Sequence, residues 1–374
     1  MEDNLNFFYT YTKNLRKTKS KIGPFTDEKN NVIKRPEADT LQDQYSSVWC
    51  QPSEKYKVSD PKSFFRTEVE NEPSEVLYKV RFSRDKVLKA IEKLNRKAAP
   101  GPDGIDNNIL YQLREVLAGP LAKIFQESMD NGKYLWKTQH VTPVLKPGKN
   151  KTKAESYRPI SLTSQIGKLM ERIVLDDLLE FLQRHNLLSD NQHGFKKARS
   201  CLTELLSHHQ RIISSILDGT NYDTIYLDYQ KAFDRCDPGV AAHAMRKFGI
   251  QGILGEWMLD FMLGRKQWVI CNNKLSYVSE VRLGVPQGSV LGPLIFILSI
   301  ESINYNDIQG NLGLFADDTR EGLSIGSEFD VMKVQEDLFK LGEWSEDVNM
   351  AFNNLKFECL KSGFQGDLKN QYNY

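Results

Sequence analysis

The chain has 374 residues, of which 40% are hydrophobic and 26% charged, and its formal net charge is +1. These values are typical of a globular protein with two or three structural units. The longest apolar run, residues 290–300, is too short to span a bilayer, and the first residues lack the features of a secretory signal. The five cysteines are scattered without a C-x-x-C pair, which argues against a disulfide framework and a zinc site. We therefore expect an intracellular protein, in the nucleus or cytoplasm, without a membrane partner.

Basic residues are unevenly distributed. Residues 1–80 are polar with a basic run at residues 13–21, which predicts an extension or linker with one or two short helices. Residues 133–158 are strongly basic against the single acid Glu155, and a second basic cluster follows at residues 196–199. Such clusters favour a phosphate-rich partner, although a solvated loop explains each cluster equally well. The basic residues concerned are Lys133, Lys137, Lys146, Lys149, Lys151, Lys153, Arg158, Lys196, Lys197 and Arg199.

Two helical patterns precede the basic region. Apolar residues at helical spacing over residues 87–94 predict a helix, which the Pro- and Gly-rich residues 98–104 end. The pattern resumes over residues 109–117 and continues over residues 121–129, with a predicted interruption at Gly119-Pro120.

Two strands and two helices are predicted next. Residues 140–149 and 157–162 read as extended segments joined by the lysine-rich loop, which makes a basic hairpin. Residues 166–182 predict a long amphipathic helix. Another helix begins after the capping residue Ser200 and ends at Asp218-Gly219.

His209 falls on the apolar side of this last helix. No acid or thiol lies at helical spacing from it, so we expect a partly buried, hydrogen-bonded histidine rather than a metal ligand. The apolar side consists of Leu202, Leu205, Ile212, Ile213 and Ile216.

Residues 224–229 are rich in β-branched and aromatic residues and predict a strand with Asp228 near its end. Alternation places Tyr226 and Asp228 on one face of this strand. Asp237-Pro238 is a typical helix start, for a helix running to Phe248. An acid at a strand end before a helix is a frequent functional position, although Asp228 alone could equally begin a turn.

The last third of the predicted fold surrounds a pair of acids. Residues 267–283 predict a hairpin, and residues 284–298 a Gly-rich turn that opens an apolar helix. Residues 313–319 (Gly-Leu-Phe-Ala-Asp-Asp-Thr) predict a strand with two adjacent carboxylates at its tip, which repel each other unless a cation or hydrogen bonds stabilise them. A polar turn is the alternative. A helix over residues 329–341 and a short hairpin over residues 356–360 follow.

Asp228, Asp317 and Asp318 at two strand ends, with a basic hairpin upstream, suit two-metal phosphoryl transfer. Carboxylate oxygens are hard ligands that suit Mg²⁺, and lysine and arginine can neutralise a triphosphate. These residues alone indicate nucleotidyl transfer without identifying the template.

Over about residues 87–363 the chain resembles the reverse transcriptase domain of non-LTR (LINE-type) retrotransposons, particularly the jockey and CR1-like groups. Six motifs in the family's order carry the resemblance. They are Ala-Ala-Pro-Gly-Pro-Asp-Gly-Ile (98–105), Tyr-Arg-Pro-Ile-Ser-Leu-Thr-Ser (157–164), Gln-His-Gly-Phe-Lys-Lys-Ala-Arg-Ser (192–200), Leu-Asp-Tyr-Gln-Lys-Ala-Phe-Asp (227–234), Gly-Val-Pro-Gln-Gly-Ser-Val-Leu-Gly-Pro (284–293) and Phe-Ala-Asp-Asp-Thr (315–319).

The resemblance implies an RNA-directed DNA polymerase that uses an RNA template, a DNA primer and dNTPs, with two Mg²⁺ ions that Mn²⁺ could replace. It implies that Asp228 and Asp317 are the principal metal ligands, with Asp318 adjoining and the carbonyl of Tyr229 completing one coordination sphere. Phe233 matches the ring that excludes a ribonucleotide 2′-hydroxyl. A plain core aromatic is the alternative for Phe233, and both roles can hold.

The remaining implied roles concern substrate binding. Gln287 and Gly288 match the turn along the incoming nucleotide and template base. Arg158 and Lys146 match residues that hold the triphosphate, and Lys356 a lysine near the leaving pyrophosphate. The lysines and arginines expected at nucleic acid are Lys149, Lys151, Lys153, Lys196, Lys197 and Arg199.

The implied fold is an α/β right-hand polymerase with fingers and palm, in which a palm antiparallel sheet is flanked by helices and the thumb is largely absent. The sequence sets no expectation for the oligomeric state. The predicted regions are an N-terminal extension (1–80), fingers (about 81–215 and 239–283), palm (about 220–238 and 284–363, ending in a primer-grip hairpin over 357–363) and a C-terminal tail (364–374).

Two departures from the family pattern matter. Asp237 stands where relatives often have His, and we expect it to act as a helix cap. The short segment after the primer grip leaves no room for a thumb, so the alternative function is a truncated, inactive relic that still binds nucleic acid. A group II intron-type maturase would need a further RNA-binding segment and is a third, weaker alternative.

Overall fold

The structure is a computed structural model that describes residues 21–67, 75–194, 196, 198–305, 307–363 and 374. Within these residues the α-helices are α1 Glu37–Ser46, α2 Pro61–Arg66, α3 Arg84–Glu92, α4 Asn107–Gln112, α5 Arg114–Asp130, α6 Gln165–Arg184, α7 Cys201–Leu217, α8 Ala232–Arg235, α9 Pro238–Lys247, α10 Gly252–Met262, α11 Gly292–Ile300 and α12 Glu328–Asp347. The strands are β1 Thr138–Leu145, β2 Tyr157–Leu162, β3 Asn221–Leu227, β4 Arg265–Cys271, β5 Lys274–Leu275, β6 Ser279–Val281, β7 Asn311–Phe315, β8 Asp318–Ile325 and β9 Glu358–Ser362.

The strands form two sheets. In the first, the order is β2-β1-β4-β5, and β6 also pairs with β4. Here β1 and β2 are the predicted basic hairpin, and β4 runs parallel to β1. The second sheet has the order β7-β8-β3-β9 and is antiparallel throughout. The second sheet therefore brings β3 and the β7–β8 hairpin, which carry the predicted acids, side by side.

Helices cover both faces of the second sheet. Arg320 on β8 forms an ion pair with Glu204 of α7. The next residue, Glu321, is beside Asp337 of α12. Because successive side chains of a strand point to opposite faces, α7 and α12 lie on opposite sides of the sheet. This fixes the mixed α/β architecture, with an antiparallel sheet between helices, that the resemblance implies.

The main core lies between helices and the second sheet, and it includes the fully buried Trp257 and Phe296. A smaller cluster joins the N-terminal segment to the first sheet through Phe25, Leu41 and Tyr45. Residues 22–45 therefore pack against the first sheet, whereas Phe65 of α2 belongs to the main core, and the structure differs here from the predicted extension. The predicted short helices are α1 and α2, while the basic residues of the run before residue 21 lie outside the described residues.

The predicted interruption at Gly119-Pro120 is wrong, because α5 continues through both residues. The break falls instead at Leu113, between α4 and α5. Proline lacks the N–H that would bond to the carbonyl of Val116 four residues earlier. Val116 is 73% exposed, so water can satisfy that carbonyl.

The α7 helix begins at the predicted cap Ser200, but its apolar side faces solvent. Its buried side is polar: Glu204 pairs with Arg320, and Ser215 with Ser324, on β8. His209 is exposed, so the expectation of a partly buried histidine is wrong. The exposed apolar residues of α7 are Leu202, Leu205, Leu206, Ile213 and Leu217.

Two further predictions concern local structure. Asp237 caps α9, as expected, since its Oδ1 accepts hydrogen bonds from the backbone N–H groups of Gly239 and Val240 at 2.7 and 3.4 Å. The hairpin predicted over residues 356–360 is instead the single strand β9, paired with β3. No helix in the described parts of the chain has both the length and the hydropathy to cross a membrane.

Candidate active site

The predicted acids meet at one end of the second sheet. Asp228 follows the last residue of β3, where Leu227 pairs with Thr319 of β8. Ala316 and Asp317 form the two-residue turn between β7 and β8, and Asp318 is the first residue of β8. Two distant segments of the chain therefore supply neighbouring carboxylates.

Ala316 holds the shape of this turn with a positive φ of 55°. Its backbone N–H donates to the side-chain oxygen of Gln192 at 3.1 Å. Gln192 belongs to the Gln-His-Gly motif, and its own backbone pairs with Leu314 of β7. This motif thus supports the acidic turn from outside the sheet.

The three carboxyls influence one another. Burial raises the pKa of Asp317, and the negative charges of Asp318 and Asp228 raise it further, while Arg158 lowers it. Burial also raises the pKa of Asp318, followed by the charge of Asp228, while Lys356 lowers it. Such repulsion between clustered acids is what a bound cation relieves.

Asp228 is held by residues that precede β9. The ammonium of Lys356 lies 2.8 Å from Oδ2 of Asp228, and the side-chain amide of Asn353 lies 3.5 Å from the same oxygen. The backbone N–H of Asn353 donates to the carbonyl of Asp228 at 2.7 Å. Lys356 therefore supplies a positive charge at the carboxylate.

Tyr229 is buried beside these acids. Its ring stacks on Phe352 with a centroid distance of 4.9 Å, and its hydroxyl accepts a hydrogen bond from Thr319 at 3.2 Å. Among the described residues, the structure records no hydrogen bond to the Tyr229 carbonyl. That oxygen has the chemistry required of the metal ligand predicted from the sequence.

The acids open into a cleft of about 740 Å³. The structure brings eight of the residues with predicted catalytic, metal-binding or nucleotide-binding roles together in its walls: Lys146, Arg158, Asp228, Tyr229, Phe233, Gln287, Asp317 and Lys356. Asp318 stands exposed beside the cleft at the start of β8, and Gly288 follows Gln287.

Positive charges gather in this cleft. The pKa of Lys146 is lowered by burial and then by the positive charges of Arg158, Lys356 and Lys149. Burial likewise lowers the pKa of Lys231. Cations that crowd one another beside a group of acids suit a substrate that carries several negative charges of its own.

Gln287 lies in a tightly fixed turn. Its carbonyl accepts a hydrogen bond from the N–H of Ser161 at 2.8 Å. Gly288 has φ +129°, and a Cβ there would lie 2.6 Å from the Ser161 carbonyl oxygen. Only glycine fits this close approach without displacing the backbone.

Phe233 faces the cleft and is also supported from behind. Its ring stacks on the buried Phe296 with a centroid distance of 4.6 Å. Its carbonyl accepts the N–H of Val285 at 2.8 Å. Both readings of Phe233 from the sequence, a cleft wall and a core aromatic, are compatible with this position.

The residues predicted to contact nucleic acid differ in their surroundings. Lys149 and Lys151 are exposed in the loop between β1 and β2, whereas Lys153 donates to the carbonyl of Asp27.

The second basic cluster makes internal contacts. Lys196 donates to the carbonyls of Leu188 and Ser189 at 3.1 and 3.0 Å, and it shares Asp190 with Arg199. These contacts stabilise the loop before α7. Lys197 lies outside the described residues.

The cleft residues that were not predicted from the sequence include Tyr45, Lys231, Asp234 and Asn353. Lys231 and Asp234 lie within the Leu-Asp-Tyr-Gln-Lys-Ala-Phe-Asp motif, so their positions in that motif were an available signal. Tyr45 comes from the N-terminal region and Asn353 from the turn before β9, and neither has a local pattern that marks it.

The donor set fits a hard divalent cation in its chemistry, since it consists of carboxylate and carbonyl oxygens. The side chains do not yet enclose one: among the described residues, no group of three or more His, Cys, Asp or Glu side chains is placed to hold a metal ion. Lys356 already occupies one oxygen of Asp228. A cation bound at that oxygen would have to displace Lys356.

Comparisons with known proteins identify the family of this chain. The family described as reverse transcriptase (RNA-dependent DNA polymerase) matches residues 144–365. The chain is 30% identical over 286 residues to "RNA-directed DNA polymerase from mobile element jockey" of Drosophila melanogaster, covering 72% of this chain and 30% of that protein. It is 31% identical over 217 residues to "Probable RNA-directed DNA polymerase from transposon BS" of the same species, covering 57% and 24%.

The chain thus spans about a quarter to a third of the length of these relatives. Among solved structures, an apo telomerase from Candida tropicalis, truncated from its C-terminal domain, aligns with a TM-score of 0.44 and 12% identity. That alignment covers 68% of this chain and 56% of the telomerase.

Proposed function

Because this chain belongs to the reverse transcriptase family, we propose that it copies an RNA template into DNA, by transferring nucleotides from dNTPs to a primer 3′-hydroxyl. The observation that carries this proposal is the cleft itself, in which Asp228 and Asp317 from two strand ends lie among Lys146, Arg158 and Lys231. An acidic centre beside a group of cations is what nucleotidyl transfer to a primer requires. We assign the first sheet to the fingers and the second to the palm.

In this proposal Asp228 and Asp317, with Asp318 adjoining and the carbonyl of Tyr229, would hold two Mg²⁺ ions, which Mn²⁺ could replace. Such ions stabilise charge on the attacking and leaving oxygens. The other side chains of the cleft bind and orient the substrates.

Lys146 and Arg158 bind the triphosphate, and the position of Lys231 in the same cleft suits the same role. Phe233 blocks the space that a ribose 2′-hydroxyl would need, and Gln287 contacts the nascent base pair. Exposed lysines of the β1–β2 loop, such as Lys149, contact the nucleic-acid backbone, where each contact adds salt-dependent affinity.

Primer extension on an RNA template, with Mg²⁺ and then Mn²⁺, tests the proposal. We expect the wild-type chain to extend the primer and Asp228→Asn to lose extension. Asp85→Asn, an exposed acid on α3, is the matched control and should extend as the wild type does. Fluorescence anisotropy of the primer–template measures binding in the same samples.

Binding without extension under both metals would contradict the polymerase and support the inactive nucleic-acid-binding relic. Absence of both binding and extension would contradict both functions.

A further inference from the structure

Asp234 is a cleft residue that the proposed reaction does not yet use. It lies on the short helix α8, six residues after Asp228, and it lines both the cleft and a second, small cavity of about 30 Å³. Burial raises the pKa of its carboxyl, whereas the hydrogen bond from Gln287 and the charge of Lys231 lower it. An acid in such a place needs a specific partner.

That partner is the side chain of Gln287. Its Nε2 donates to Oδ1 of Asp234 at 2.8 Å. An ionised carboxylate only accepts hydrogen bonds, so it selects the amide orientation with Nε2 toward it and the carbonyl oxygen away. The amide is thus a direct side-chain hydrogen-bond partner of Asp234, and Lys231 acts on Asp234 through its charge.

The backbone of the turn is fixed by other bonds. The carbonyl of Gln287 accepts the N–H of Ser161 at 2.8 Å. The N–H groups of Gly284 and Val285 donate to the carbonyls of Cys236 and Phe233, each at 2.8 Å. Loss of the Asp234 carboxylate therefore leaves these backbone bonds in place and frees the side chain of Gln287, and it also removes a negative charge that acts on Lys231.

We propose that Asp234 is a positioning residue that holds the amide of Gln287 in the orientation required to bind the incoming nucleotide. This inference rests on the proposed function and deepens it. It predicts an effect on nucleotide binding that passes entirely through Gln287.

The test measures the Kd of a dNTP for the protein on an RNA template with a dideoxy-terminated primer, so that no turnover is needed. Asp234→Leu removes the acceptor and should weaken dNTP binding about tenfold, the effect expected for a hydrogen bond to a charged group. Asp234→Asn keeps an acceptor oxygen and should restore most of the affinity. Thermal unfolding and primer–template binding of each variant report on folding.

The deciding comparison repeats Asp234→Leu in the Gln287→Ala protein. If Asp234 acts through the amide, the substitution has no further effect on Kd there. An equal loss of affinity in both backgrounds would overturn the proposal, because Asp234 would then act independently. Unchanged affinity of Asp234→Leu in the wild-type background would overturn it as well.

The same measurement distinguishes a failure of this proposal from a failure of the proposed polymerase function. If the wild type binds dNTP but fails to extend an ordinary primer, the polymerase reaction fails while the comparison of Asp234 and Gln287 still decides the positioning role. If the wild type binds no dNTP, both proposals fall.

Discussion

Lys356 forms an ion pair with Asp228, a proposed metal ligand, and its replacement should separate metal binding from turnover. The Lys356 side chain is 62% exposed and that of Asp228 33% exposed, with 2.8 Å between the charged atoms. Ion pairs of such exposure contribute about 0–1 kcal/mol. A cation that displaces Lys356 must offset this contribution, so Lys356→Met should tighten divalent-metal binding by up to about fivefold.

Turnover should change in the other direction. If Lys356 stabilises the leaving pyrophosphate, its loss removes a positive charge that acts in the transition state. A group that assists the leaving group in this way contributes about 10²–10⁴-fold to the rate. We therefore expect Lys356→Met to bind metal more tightly and to extend the primer at least about a hundredfold more slowly.

Mn²⁺ titration followed by electron paramagnetic resonance gives the metal affinity, and single-nucleotide extension gives the rate. Lys89→Met, an exposed lysine on α3, is the control and should change neither. Weaker Mn²⁺ binding in Lys356→Met would refute the reasoning, because it would mean that the ammonium assists the metal site instead of occupying it.

Three further predictions follow from single contacts. Phe233→Ala should increase ribonucleotide incorporation relative to deoxynucleotide in a competition assay; an unchanged ratio would show that the ring does not exclude the 2′-hydroxyl. Gly288→Ala should lower the free energy of unfolding by about 1–3 kcal/mol, because Gly288 has a positive φ and lies near the Ser161 carbonyl. Gly342→Ala, in open space on α12, should not lower the free energy of unfolding. Burial and the neighbouring Asp337 raise the pKa of Glu321 to about 9 from its ordinary 4.5, so Glu321 is neutral in the fold and ionised in the unfolded chain between these values. The free energy of unfolding of the wild type should then fall by about 1.4 kcal/mol per pH unit as the pH rises across that window. Urea unfolding at pH 6 and pH 8 measures this fall, and Glu321→Gln should remove it. An equal fall in both proteins would contradict the raised pKa of Glu321.

The sequence predicted that the acids lie at strand ends because the strands that carry them are marked locally. The β3 strand has a clear apolar and β-branched pattern, and Asp237-Pro238 begins α9 as a capping residue and a first-turn proline should. The order of the family motifs then predicted that Asp228 and Asp317 belong to one site, although they lie far apart in the chain. Local pattern and family order were both needed for that step.

The missed strand β8 and the wrongly predicted orientation of α7 share a physical cause, which is burial of polar residues. No strand was predicted for β8, since its buried positions include Arg320, which pairs with Glu204 of α7, and Glu321, which lies beside Asp337 of α12. The same ion pair turns the polar side of α7 inward through Glu204, which leaves the apolar side exposed. The hydrophobic periodicity of a sequence does not reveal contacts of this kind between distant elements.

The N-terminal region was misread for a different reason. Phe25, Leu41 and Tyr45 are separated by polar stretches and show no common period, yet they bury together against the first sheet. Their packing depends on β1 and β4, which lie far along the chain. Composition alone could not distinguish this segment from a linker.

The rate of RNA-templated nucleotide incorporation by Asp317→Ala, beside the wild type, tests the central claim most directly. The turn residue Asp317 should be essential for incorporation, and its removal should cost no stability because its neighbours Asp318 and Asp228 repel it. We predict a folded protein that binds primer–template and incorporates no nucleotide above background. Incorporation at the wild-type rate would contradict the assignment of this cleft as the polymerase active site.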